Sequence, residues 1–346
     1  MTALMLMPFA LPPGIALTVR SLMRAARPAV ADRVPPWSSS VRRRQGTSRP
    51  GVPGRRGDSV TALQVHPPRV HRSGAGEPLV LLHGLGSSSV SWRPVLGRLS
   101  ARHSVLAVDL PGFGDSPALL PGQRPTPQAL ADAVEHALND AQLDSAHLCG
   151  NSLGGWVALE LARRERARSV VAISPAGFWT ERERRYALAA LKVAHRQARL
   201  VDPVAGAAMA FPPLRVPLFA QVRSLPWRIS RSDAVEEIRM QARVPDFPET
   251  RDVTLDGRRA EGLEAIKCPV LVLWGTRDLL LPPRQAARAV RAIPGATLGM
   301  LPGLGHIPMS DDPGTVAEAI LRFTARAAAT STASLSAPPA EPERDS

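Results

Sequence analysis

The stretch Ala146-His147-Leu148-Cys149-Gly150-Asn151-Ser152-Leu153-Gly154-Gly155 decides how the rest of the chain is read. An apolar run ends at Gly150, and a helical pattern, Gly154 to Arg164, follows at once. Gly-x-Ser-x-Gly between a strand and a helix sets a serine on a sharp turn with its hydroxyl exposed. Glycines two residues before and two after the serine leave room that any side chain would fill. The pattern alone is weak, and an ordinary Gly-rich turn is the bland alternative. Its place between strand and helix gives it weight.

Working outward, the same rhythm recurs. Leu79 to Leu82 closes on His83-Gly84, and Ser104 to Val108 closes on Asp109-Leu110-Pro111-Gly112. Ser169 to Ile173 ends at Ser174-Pro175, and Val270 to Trp274 at Gly275. Continuous apolar runs of this length fit strands buried on both faces. Helical stretches lie between them, such as Gln128 to Ala141. Alternating strands and helices predict an α/β fold with a mostly parallel, doubly wound sheet. The alternation breaks once, between Ile173 and Val270. That insertion holds helical patterns at Glu181 to Leu200 and Asp233 to Arg243, around a Pro-broken apolar region, Val204 to Trp227. A long insertion in such a sheet is usually functional, commonly a lid.

Four motifs together resemble the α/β-hydrolase family: His83-Gly84-Leu85-Gly86, Asp109-Leu110-Pro111-Gly112-Phe113-Gly114-Asp115-Ser116, the serine turn, and Gly303-Leu304-Gly305-His306. The resemblance covers residues 60–326. It implies a hydrolase core over 60–178 and 262–326, a helical cap over 179–261, and the order serine, acid, histidine along the chain. Ser152 is the expected nucleophile. A serine hydroxyl needs a base, and the base needs an orienting partner. Downstream of Ser152 only His195 and His306 remain. His195 sits on an Arg-dense helix and reads as a partly solvated helix residue. His306 lies where the family keeps its base. Asp278, in Gly275-Thr276-Arg277-Asp278, is the expected acid. Asp311 and Asp312 precede Pro313 and read as helix caps. By resemblance the oxyanion is met by the backbone N–H groups of Leu85 and Leu153. His83 braces its loop, and the turn holding Asp109 and Asp115 is read as structural.

Composition narrows the rest. The chain has 346 residues and a formal net charge of +13. Residues 1–75 hold twelve Arg but only Asp32 and Asp58, so most of that charge sits in a leader. A nucleic-acid-binding protein should carry its basic footprint on the folded domain, so no nucleic-acid partner is expected. Residues 1–59 are Arg- and Pro-rich. They are read as a disordered extension, in preference to a targeting peptide or a secretory signal, with Val60 a reasonable true start. Residues 327–346 read as a floppy tail. Two cysteines, Cys149 and Cys268, cannot make a disulfide scaffold and read as buried strand residues. No run of eighteen uninterrupted apolar residues suggests a membrane span. Neither His-x-Glu-x-x-His nor paired Cys-x-x-Cys occurs, so no metal and no cofactor are expected. A cytoplasmic location is expected.

The expected activity is a serine hydrolase acting on a small or medium apolar carboxylic ester or related carbonyl compound. Haloalkane dehalogenases and epoxide hydrolases of this fold use an Asp nucleophile, where this chain has Ser152. Carbon–carbon hydrolases of ring-fission products share Gly-Asn-Ser-x-Gly-Gly. They tend to carry Pro-Gly where this chain has Ser87-Ser88, and Trp where it has Ile307. Cofactor-free haloperoxidase or perhydrolase chemistry uses the same three side chains. A non-catalytic, ligand-binding member of the fold is the remaining alternative.

Overall fold

The computed structural model describes the backbone of residues 66–335 and the side chains through residue 329. The leader over 1–59, and residues 336–346 of the tail, lie outside the described residues. Seven strands form one sheet: β1 (Val70–Ser73), β2 (Glu77–Leu82), β3 (His103–Val108), β4 (Ala146–Asn151), β5 (Ala167–Ile173), β6 (Val270–Gly275) and β7 (Thr297–Leu301). Their order across the sheet is β1-β3-β2-β4-β5-β6-β7. Only β1 runs antiparallel to its neighbour; every other pairing is parallel. This is the doubly wound, mostly parallel α/β sheet expected.

Side chains one residue apart on a strand point to opposite faces. Here both faces are dry. Val80, Leu82, Leu106, Val108, Leu148 and Val170 pack on one side, against the helices Pro127–Asp140 and Leu153–Arg163. Leu79, Leu81, Val105, Ala107, Cys149 and Val171 pack on the other, against Arg93–Ser100 and Pro313–Leu335. Two covered faces remove any need for alternation, which is why the strands read as unbroken apolar runs. Each leucine so buried contributes about 1.5–3 kcal/mol relative to exposure.

Several expectations need correction. Cys149 is a buried strand residue, but Cys268 precedes β6 and is only partly buried. Burial still holds both thiols protonated, Cys268 being pushed up to about 11. The last helix runs past Ala327 to Leu335, so it takes up part of the stretch expected as tail. Asp312 caps that helix, accepting the Thr315 N–H at 3.1 Å. Asp311 does not cap; it has a different task, described below.

The insertion between β5 and β6 is helical. Its longer helices are Glu181–Val201, Arg231–Arg243 and Phe247–Thr254. Met209, Phe219, Ala234 and Ile238 form a small core of its own, with Ala198 and Ala205. His195 is buried there rather than solvated. It stacks on Phe247 at 4.8 Å, and its Nδ1 lies 2.8 Å from the Gln241 carbonyl. Phe211 and Leu214 are exposed. No helix among the described residues is long and apolar enough to cross a membrane.

Candidate active site

Ser152 sits between β4 and the helix Leu153–Arg163, with φ 55° and ψ −117°. A non-glycine residue there is strained, and strain of this kind clusters at functional sites. The two flanking glycines permit it. A Cβ on Gly150 would lie 2.1 Å from the Gly154 carbonyl oxygen, and one on Gly154 would lie 2.3 Å from the Leu82 carbonyl oxygen. The turn is therefore pressed against both its own helix and β2.

Asp278 follows β6 and His306 follows β7; both are buried. The His306 Nδ1–H donates to Asp278 Oδ2 at 2.7 Å. The other oxygen, Oδ1, accepts the N–H groups of Leu280 at 3.0 Å and Leu281 at 2.8 Å. Trp274 donates its indole N–H to the Leu281 carbonyl at 2.9 Å, so the carboxylate loop is tied back to the strand. The carboxylate cannot turn without breaking several bonds. It fixes which ring nitrogen of His306 carries the proton and leaves Nε2 for another partner.

Ser152, His306, Leu85 and Leu153 all line one cavity of about 70 Å³. Asp278 stands behind His306, outside the lining. The Leu153 N–H lies in the first turn of its helix, where no intrahelical acceptor exists. The Leu85 N–H has no acceptor among the described residues. A wider space of about 250 Å³ adjoins the cavity. Ser87, Ser91, Glu237 and Ile307 line both, so the two spaces share a wall.

Side-chain hydrogen bonds brace the strand-end loops. His83 accepts the Leu110 N–H through Nε2 at 2.9 Å and places Nδ1 2.8 Å from the Gly84 carbonyl. Burial pulls its pKa down, against the neighbouring Asp109, so it stays neutral and braces the loop. Asp109 accepts the Ser89 N–H at 2.7 Å and the Asp115 N–H at 3.0 Å. His71, Asp109 and Asp115 are the one grouping among the described residues that could hold a metal ion. Each Asp109 oxygen accepts one of those N–H groups, so the carboxylate braces the turn.

Two positioning groups escaped the reading of the sequence. Asn151 donates its side-chain N–H to the carbonyls of Ile173 at 3.1 Å and His306 at 3.0 Å, joining the serine turn to the histidine loop. Asp311 accepts the Gly305 N–H at 2.8 Å, the Ser224 O–H at 2.8 Å, and the N–H groups of Ser224 at 3.1 Å and Leu225 at 3.3 Å. It pins the loop carrying His306 to the insertion. Its neighbour Pro313 suggests a cap, and nothing local reveals partners almost ninety positions away.

Comparison with known proteins identifies the family. A model of the alpha/beta hydrolase family matches residues 79–319. A 2-hydroxymuconate semialdehyde hydrolase of Pseudomonas sp. is 30% identical over 265 residues, covering 68% of this chain and 83% of that protein. An epoxide hydrolase of Mycobacterium tuberculosis is 33% identical over 198 residues, covering 56% and 92%. The solved structure of a thermophilic esterase from Thermogutta terrifontis superposes with a TM-score of 0.59 at 25% identity, covering 75% of this chain and 93% of that one. With the family model spanning most of the chain and the strand order agreeing, this chain belongs to the alpha/beta hydrolase family.

Proposed function

We propose that the protein is a serine hydrolase cleaving a small carboxylic ester or related carbonyl compound. The observation that carries this reading is the 2.7 Å bond from His306 to Asp278, with His306 and Ser152 on one cavity. Ser152 Oγ attacks the carbonyl carbon as its proton passes to His306 Nε2. The oxygen that gains charge is met by the N–H groups of Leu85 and Leu153. The tetrahedral adduct collapses, and His306 returns the proton to the departing alcohol. Water then attacks the acyl-serine by the same route and releases the acid.

The acyl part occupies the smaller cavity, which Ser152 lines, and the leaving group the wider space beside it. An engineered cavity of about 150 Å³ holds benzene, so about 70 Å³ suits an acyl group of a few heavy atoms. Short p-nitrophenyl esters, acetate to butyrate, are therefore expected to react faster than the octanoate. Ser152→Ala should lose about 10⁴-fold or more in kcat while remaining folded. Undiminished hydrolysis by Ser152→Ala would overturn the reading.

A carbon–carbon hydrolase is the second reading. It is favoured by the 30%-identical relative and by the shared Gly-Asn-Ser-x-Gly-Gly turn. Serine-dependent cleavage of 2-hydroxymuconate semialdehyde, with no turnover of any simple ester, would select it.

A further inference from the structure

Residues 203–217 of the insertion present only apolar side chains to the outside. Val204, Phe211, Leu214 and Val216 are exposed, and every other exposed position there is Ala or Pro. Phe211 is 59% exposed, and Leu200, just before the segment, 80%. The one charged residue of the segment, Arg215, is turned inward. Its guanidinium donates to the carbonyls of Met209 and Ile229, each at 2.6 Å. The backbone is occupied as well. The N–H groups of Met209, Ala210, Phe211 and Leu214 donate to carbonyls within the segment. Arg231 donates its Nε–H to the Gly206 carbonyl at 3.0 Å.

An exposed apolar patch rimmed by polar residues marks an interaction surface. Here the rim is basic. Arg199 stands beside Leu200 at the end of Glu181–Val201, Arg196 one turn before it, and Arg231 adjoins Gly206. All three are exposed, and none has a carboxylate partner among the described residues. The neighbouring acids face other cations: Asp202 pairs with Arg243 at 2.8 Å, and Asp233 with Arg93 at 3.9 Å.

We infer that residues 203–217 dock on an anionic lipid surface, with Arg196, Arg199 and Arg231 against the headgroups. A lipid boundary takes up apolar side chains but offers a bare backbone group no partner, and this backbone is already bonded. A protein partner fits less well. Protein interfaces carry about one hydrogen bond per 100–200 Å², and the exposed side chains of this segment hold no polar atom. A second copy meeting this face across a two-fold axis would bring the same arginines together. The turn Pro226–Arg228 packs on Pro212–Leu214, and its Arg228 lines the wider space beside the cavity. Docking would bring that space near the lipid, where an apolar substrate concentrates.

The test is co-flotation of the full-length protein with vesicles of phosphatidylcholine alone or mixed with phosphatidylglycerol. Wild type is expected to float with the mixed vesicles and about tenfold less with phosphatidylcholine alone. The Arg-rich leader would also favour anionic lipid, so the variants decide. Phe211→Ser combined with Leu214→Ser should lower partitioning to mixed vesicles about tenfold or more, through lost apolar burial. Arg199→Gln combined with Arg231→Gln should lower it about tenfold, and added salt should narrow that difference. Melting temperatures should stay close to wild type, because surface substitutions shift stability little. Leu200→Ser, on the regular helix Glu181–Val201, repeats the test at a second place. Wild type that floats with neither vesicle, or equally with both, overturns the inference. Flotation unchanged in the double serine variant also overturns it, by placing the binding in the leader. A wild-type dimer that this variant turns into a monomer, with no flotation, assigns the patch to a second copy and overturns it too.

Discussion

The floor and the roof of the cavity are built on opposite principles. The floor is made by strand ends, and the side chains that hold its geometry are bonded on several sides. Asp278 holds three donors, Asn151 joins two loops, and His83 bonds through both ring nitrogens. The roof is made by the insertion. A braced floor holds side chains in one geometry before any substrate arrives, which is what charge stabilisation requires. The insertion instead supplies a largely apolar wall, with Ala187, Leu191, Val222 and Leu255 in its lining.

The largest effect that would break this comparison comes from the floor. Asp278→Asn keeps the shape but presents an amide to His306, which favours the wrong tautomer. Ester turnover should fall by about 10⁴-fold with the melting temperature little changed. A loss below tenfold would mean that Asp278 does not orient the base.

Next comes the seam between the two regions. Asp311→Asn places an N–H₂ where the carboxylate now faces only donors. A loss of about 2 kcal/mol is expected, seen as a melting temperature lower by about 4–8 °C. Turnover should drop about tenfold as well, because Gly305 precedes His306. Equal melting curves would show that the seam does not bear on the fold.

The same division explains what could be read from the sequence. The five central strands stood out because two covered faces demand unbroken apolar runs, and Ser152 stood out because its strained turn demands glycines. The order implied by the family resemblance pointed to His306 and Asp278, which the fold brings within 2.7 Å of each other. β1 passed unnoticed: Val70-His71-Arg72-Ser73 is a short, largely polar edge strand, with one neighbour and little to bury. Asp311 was misread because its partners are remote, whereas its neighbour Asp312 was legible because Thr315, its partner, lies within the next turn. In the insertion, Met209 and Phe219 went into a private core, while Phe211 and Leu214 were left outside. Short Pro-broken helices carry no periodicity long enough to tell these apart.

The smallest effect concerns how the roof is fastened at its first helix. Glu183 closes a capping box with Thr180 at the start of Glu181–Val201, its Oε2 accepting the Thr180 N–H at 2.8 Å. It also pairs with Arg284 and Arg288, from the core segment that follows β6. Burial alone would raise its pKa, but the Thr180 N–H and the two guanidinium groups outweigh that and hold it below the ordinary glutamate value. The folded protein therefore gives up this proton more readily than the unfolded chain does. The resulting stabilisation is complete above the unfolded value, near pH 4.3, and fades as the pH falls through the lower folded value. Glu183→Gln should cost about 1–2 kcal/mol at pH 7 in urea unfolding. The gap to wild type should narrow steadily between pH 5 and pH 3, because only wild type has a carboxylate to lose there. A gap of constant size across that range would show that Glu183 fastens the roof by shape, without its charge.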